Sequence, residues 1–205
     1  MAGRLEERRL LTSAGPIRFY QGPCVYEPSD DTWVAVEALE SLRAMGYSFR
    51  TVLDLGSGTG VLAGVAAALF RPYLVVAVDI SPYAVEASRG TLGRDAAVVQ
   101  CNAASCIRRT WDLVIVNPPY LPTPLWEAKE CEGLLSLAWS EGAGHEVLCE
   151  DAGRLGKNVL IVRSSASSLD VDSCLTRQGH TRSLELGRRR LFFETIWAEL
   201  WSRQG

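Results

Sequence analysis

Between residues 51 and 164, short apolar runs closed by glycine, aspartate or asparagine alternate with longer stretches of helical periodicity. "TVLDLG" (51–56), "YLVVAVD" (73–79), "AAVVQC" (96–101), "WDLVIV" (111–116) and "KNVLIVRS" (157–164) predict five buried strands. The intervening "VLAGVAAALF", "SPYAVEASRGTL" and "GAGHEVLCEDAGRLG", and "SSLDVDSCLTRQG" after the last strand, predict helices, the second with a serine cap followed by proline. The tail "HTRSLELGRRRLFFETIWAELW" reads as two β segments joined by a turn near Gly187. Upstream, residues 26–46 carry apolar side chains at Trp33, Val36, Leu39 and Leu42, with Ser29 or Asp30 as cap and Gly46 as terminator. This is an amphipathic helix. Strands alternating with helices imply a doubly wound α/β fold. The expectation is a seven-stranded, mostly parallel sheet with a C-terminal antiparallel hairpin, preceded by a short N-terminal helical extension. Residues 1–205 form a single domain, in which residues 1–50 are the extension and contribute to the site.

Composition supports a globular chain: 47% of residues are apolar and 22% charged. No apolar run is long enough to span a membrane, and the opening "MAGRLEERRLLTSAG" lacks the apolar centre of a signal peptide, so a cytoplasmic location is expected. A net charge of −3 argues against the strongly basic class of nucleic-acid binders. The run "GRRR" (187–190) is expected to be a solvated turn. Six cysteines show no C-x-x-C pair and only two histidines accompany them, which argues against a structural zinc site. The cysteines are expected as reduced, partly buried thiols, with a disulfide the alternative if the source is a hyperthermophile.

Chemistry enters at the strand ends. In "LDLGSGTG", Gly56, Gly58 and Gly60 follow the first of the five strands and open a helix. Glycine there permits a tight turn and close approach of a ligand to the helix amino end. The spacing G-x-G-x-G differs from the dinucleotide fingerprint G-x-G-x-x-G. Asp54 is placed to order the turn or to contact a ligand ammonium. Asp79 ends the next strand, where a carboxylate can accept from both hydroxyls of a ribose. Ser81 is better placed than Asp79 to cap the following helix.

This pattern resembles the class I S-adenosylmethionine-dependent methyltransferases. The resemblance implies that Asp54, Gly56, Ser57, Gly58 and Gly60 surround the amino acid part of the cofactor. It further implies that Asp79 and Ile80 hold its ribose, while Asn102 and Ala103 of "QCNAAS" lie at its adenine. An acid is usual at the position of Asn102.

The most specific signal is "NPPY" at 117–120. It looks like the motif of methyltransferases that modify a planar NH2 group: adenine N6, guanine N2 or a glutamine side chain. The Asn117 oxygen and the Pro118 carbonyl can each accept from one substrate N–H and stabilise charge that develops on nitrogen. Pro118 and Pro119 fix the carbonyl direction without adding a donor. Tyr120 can pack on the flat group, and Asn117 also borders the cofactor. The catalytic set is therefore Asn117, Pro118, Pro119 and Tyr120, with no metal.

"VYEPSDDTWVAVEALE" (25–40), "NPPYLPTP" and "AWSEGAGHEVLCE" (138–150) together resemble the archaeal and eukaryotic HemK-like methyltransferases. These modify the glutamine of the Gly-Gly-Gln loop of class 1 peptide chain release factors. The resemblance implies that Tyr26, Glu27 and Pro28, with Asn117 and Tyr120, shape the substrate pocket, and that Thr32 contacts the cofactor. Gly142 and Gly144 shape the loop facing the site, while Asp30 and Asp31 read as helix-capping residues. S-adenosylmethionine is the implied cofactor and S-adenosylhomocysteine its product. A small zinc-binding activator subunit is an implied heterodimer partner, with "AAVVQC" as a candidate docking edge. Neither a membrane nor a nucleic-acid substrate is expected. The alternatives are adenine N6 methylation of DNA or RNA, methylation of another protein side chain, and an idle scaffolding subunit.

Overall fold

Alternating side chains of one strand feed two cores. In the computed structural model, which describes residues 4–94, 96–119 and 143–203, the strand Trp111–Val116 sends Leu113 and Ile115 to one side of the sheet. Val114 and Val116 go to the other. A strand covered on both faces has no solvent side, which is why its sequence is a continuous apolar run.

The elements follow in the order β1 (Glu6–Thr12), β2 (Gly15–Gln21), α1 (Asp30–Ala44), β3 (Thr51–Leu55), α2 (Val61–Phe70), β4 (Leu74–Asp79), α3 (Pro82–Leu92), β5 (Ala97–Gln100) and β6 (Trp111–Val116). After them come α4 (Ala143–Leu155), β7 (Gly156–Ser164), α5 (Val171–Thr176), β8 (His180–Arg190) and β9 (Thr195–Arg203). Seven strands form one sheet in the order β5-β4-β3-β6-β7-β9-β8. Pairing is parallel from β5 to β7 and antiparallel in the β7–β9–β8 wing. The expected class I methyltransferase fold is therefore present.

α1 and α2 cover one face, and α4 and α5 cover the other. The chain winds outward from β3 in both directions, to β4–β5 and to β6–β7. The crevice at the carboxyl ends of β3 and β6 is thus the topological switch point.

Three expectations change. The first is the amino-terminal segment, which carries a β1–β2 hairpin ahead of the expected helix. The hairpin packs on α2 and α3. Phe19 is buried, the Tyr20 N–H donates to Thr91 Oγ1 at 3.0 Å, and a Cβ on Gly90 would lie 3.0 Å from the Tyr20 ring.

The second is the C-terminal turn. β8 runs through Gly187 to Arg190, and the reversal falls at Leu191–Glu194, where the Leu191 N–H donates to the Glu194 carbonyl. Gly187 has φ +63 and lies where the register shifts between Leu186 and Arg188, a bulge within the strand. The arginines of "GRRR" therefore line a strand. Arg189 pairs with Asp30 and Glu37 of α1.

The third concerns the cysteines. Cys101 pairs with Cys106, and Cys149 with Cys174, at Cα separations of 6.2 and 6.5 Å. Both separations lie within disulfide reach. Folding brings together side chains whose spacing carried no signal, so the expectation of reduced thiols is not met at these four positions. None of the helices is long and apolar enough to cross a membrane among the described residues.

Candidate active site

The glycine loop is held from beneath by backbone. The N–H groups of Gly56 and Ser57 both donate to the Val78 carbonyl, at 2.9 and 3.0 Å, and the Gly60 N–H donates to the Ser57 carbonyl at 2.7 Å. α3 adds a second support: the Ser88 hydroxyl donates to the Gly58 carbonyl and lies 3.0 Å from Ser57 Oγ, while Thr91 Oγ1 donates to the Thr59 carbonyl at 2.6 Å. Gly56, Gly58 and Gly60 have φ of +74, +53 and +74. The three differ in surroundings. A Cβ on Gly58 would meet nothing within 4 Å, whereas one on Gly60 would lie 2.9 Å from Ser88 Oγ and 3.0 Å from Ser88 Cα.

Asp54 is buried at the end of β3, and its Oδ2 accepts the Ala63 N–H at 3.0 Å. Burial pushes its carboxyl up to about 7; the Ala63 hydrogen bond opposes this and the charge of Asp79 reinforces it. Asp79 is nearly buried and accepts one backbone N–H at each oxygen, Ser81 on Oδ1 and Gly58 on Oδ2, both at 2.9 Å. Burial raises its pKa against those hydrogen bonds. A carboxylate has about four lone-pair positions, so two remain for a ligand. Ser81 does cap α3, accepting from the Ala84 N–H at 3.4 Å.

The strand register aligns the remaining parts. Leu55 pairs with Val78 on one side and with Val116 on the other. Asp79, Gly56 and Asn117 therefore leave three neighbouring strands at one level, one strand spacing apart. Asn102 is exposed in the turn after β5, and Ala103 has φ +45. Asp151 of α4 holds that turn through the Ala104 N–H at 2.8 Å.

Asn117 makes the least expected contact. Its Nδ2 donates to Asp31 Oδ2 at 2.9 Å, while its Oδ1 is buried and has no hydrogen-bond partner among the described residues. Asp31 Oδ1 accepts from the Thr32 N–H at 2.6 Å. Asp31, buried with Thr32 in the first turn of α1, thus reaches the end of β6. The N-cap position belongs to Ser29, whose side chain makes no capping bond, so the capping role expected of Asp31 is replaced by a contact across the crevice. That contact was hidden in the sequence because residues 31 and 117 are brought together only by the fold.

Tyr26 is 44% exposed, and its hydroxyl pKa is raised by burial first and then by the charge of Asp31. Glu27 is exposed and paired with Arg8, and Pro28 is half-buried. Pro118 is buried and Pro119 half-buried. Tyr120 and Gly142 lie outside the described residues. Gly144 is exposed at the start of α4. No cluster of three or more potential metal ligands occurs among the described residues.

Residues 32–125 match the family model of the methyltransferase small domain. The human methyltransferase HEMK2 is 31% identical over 133 residues, covering 60% of this chain and 61% of the human protein. The release factor glutamine methyltransferase of Deinococcus radiodurans is 35% identical over 114 residues, 53% of this chain and 40% of that one. The chain thus aligns with about half the length of these curated relatives. Among solved structures, the E. cuniculi Mtq2–Trm112 complex, described as responsible for methylation of the eRF1 translation termination factor, superposes with a TM-score of 0.64. It is 25% identical, and the match covers 88% of this chain and 99% of that one.

Proposed function

We propose that this chain is a HemK-like methyltransferase that transfers a methyl group from S-adenosylmethionine to the side-chain nitrogen of a glutamine in a peptide chain release factor. The observation that carries the reading is the Oδ1 of Asn117 beside the glycine loop, buried and without a hydrogen-bond partner among the described residues. A buried acceptor without a partner is costly unless a ligand supplies the donor.

The residues present fit the cofactor. Gly58 turns bare backbone toward open space, Asp54 can face an ammonium, and Asp79 retains acceptor capacity for ribose hydroxyls. Ser57, Ile80, Asn102 and Ala103 complete the loop ends around it, and Thr32 lies beside Asp31 at the opposite wall. When bound, the cofactor supplies an electrophilic methyl on a sulfonium.

The chain's own task is to make an amide nitrogen attack. That lone pair is delocalised, so the NH2 must be held in line and its developing positive charge stabilised. Asn117 Oδ1 accepts one N–H, and the Pro118 carbonyl accepts the other, both set before reaction. Tyr26, Glu27 and Pro28 form the neighbouring rim, with Tyr120 as the expected packing partner. A small activator protein fits the exposed edge of β5, where Val98 and Val99 are only half-buried.

The test supplies labelled cofactor to purified release factor, to the same factor with its loop glutamine replaced, and to DNA and RNA. Label confined to the intact release factor is expected. Equal label in the two release factors refutes the glutamine assignment, and label in nucleic acid alone favours adenine N6 methylation. Asn117→Ala should reduce transfer on the order of 100-fold to 1000-fold, with cofactor binding retained in a direct titration.

A further inference from the structure

We infer that Asp31 is the positioning residue of this site: its carboxylate fixes the orientation of the Asn117 amide so that the oxygen, and not the NH2, faces the substrate. The inference deepens the proposed glutamine methylation and rests on it for its kinetic consequence.

Rotation of an asparagine by half a turn about its last bond exchanges an acceptor for two donors with almost no change in shape. Among the described residues, no backbone group bonds the Asn117 side chain to fix either orientation. Asp31 does. Carboxylate oxygens accept, so the side of Asn117 that lies 2.9 Å from Asp31 Oδ2 is its NH2. Its oxygen is then the atom turned away, buried and without a partner among the described residues.

Asp31 is itself held. Its other oxygen accepts from the Thr32 N–H at 2.6 Å, and Thr32 Oγ1 lies 3.3 Å away. The carboxylate therefore cannot turn to suit its neighbour. A negative charge behind the amide NH2 also polarises the amide, which increases the electron density on Oδ1 as an acceptor. Both effects favour a nitrogen that becomes positive.

The same geometry predicts an unusual consequence of a mild substitution. In Asp31→Asn, the Thr32 N–H holds the new side-chain oxygen, so the new NH2 faces Asn117. Asn117 then turns its own oxygen toward residue 31 and offers its NH2 to the substrate. The site keeps its volume and loses its acceptor. The exchange of the two residues, Asp31→Asn with Asn117→Asp, restores it: the new amide at position 31 would donate to one oxygen of the new carboxylate at position 117, and the other oxygen would face the substrate.

The experiment measures kcat and KM on release factor, cofactor affinity, thermal stability and the side-chain NH2 resonances of Asn117 by 15N NMR, the latter assigned by their loss in Asn117→Ala. Asp31→Asn should lower kcat about 100-fold, with cofactor affinity and melting temperature close to those of the unmodified chain. The exchanged pair should recover at least roughly tenfold over either single variant. Asp30→Asn, which removes the same charge one residue away where the contact is to Arg189, should leave kcat unchanged. In the NMR spectra, one Asn117 NH2 proton should be shifted downfield in the unmodified chain and lose that shift in Asp31→Ala.

An Asp31→Asn variant with full kcat, or Asn117 resonances indifferent to Asp31, overturns the inference. Failure of the unmodified chain to label any release factor overturns the proposed function instead. The NMR result then still decides the orientation.

Discussion

Asp54 shows how one residue can be read and still be incompletely understood. Its place before the glycine loop was visible, but its carboxyl near 7 follows from complete burial with a single backbone donor. The sign is definite. A carboxyl raised in the folded state contributes stability fully below its unfolded value of 3.8, and that contribution is lost as pH rises through about 7. A ligand ammonium favours the ionised form, so cofactor binding should tighten as pH rises through 7 and should release protons. Calorimetry in two buffers of different ionisation enthalpy measures this, and Asp54→Asn should abolish the proton release. Asp31 marks the opposite case. Its identity and its neighbours in "SDDT" were legible, yet its role was not, because a contact with Asn117 has no signature in local sequence.

Elements were more legible than boundaries. The strand-turn-helix unit at 51–70 was plain from its apolar run and glycines, and the structure adds a distinction among those glycines. Gly60 has both a positive φ and the α3 backbone within reach of a Cβ, whereas Gly58 has only the positive φ. Gly60→Ala should therefore destabilise the fold by about 1–3 kcal/mol, from the left-handed conformation and the overpacking against Ser88 together. Gly58→Ala should lose only about 1 kcal/mol, with its larger effect on cofactor affinity. Urea unfolding of the two variants separates these values. The β1–β2 hairpin escaped notice because its residues alternate between exposed and half-buried and only Phe19 on the pair is fully buried. Its register is secured by packing on α2 and α3. The turn expected near Gly187 failed for a related reason: a glycine that usually ends a strand here forms a bulge inside one, and the true reversal uses Phe192 and Phe193, which stand exposed.

At the scale of the whole molecule, the antiparallel wing holds a buried charge that no local pattern announces. Glu199 is 0% exposed and accepts from the indoles of Trp197 and Trp201, each at 2.9 Å, and from Arg163 and Arg182. Burial would raise its pKa, but these donors outweigh it and hold the carboxyl below its ordinary value. Such a group contributes stability above the unfolded value of 4.5 that is lost as pH falls through the depressed folded value. Glu199→Ala leaves two indoles without their acceptor and Arg163 with Asp172 as its remaining carboxylate, and should cost about 3–5 kcal/mol, read as a lower urea midpoint at neutral pH. The difference from the unmodified chain should shrink in acid.

The order of apolar runs and glycines determined the doubly wound sheet, since a strand buried on both faces must be apolar throughout and a parallel neighbour requires a helical crossover. "NPPY" and the glycine loop likewise determined the chemistry to look for. The tertiary structure alone decided the pairing of four cysteines, the partners of Glu199 and the meeting of Asp31 with Asn117. Each joins positions whose sequence spacing is unrelated to their distance in space, and their directions are set only when the sheet closes and its helices pack.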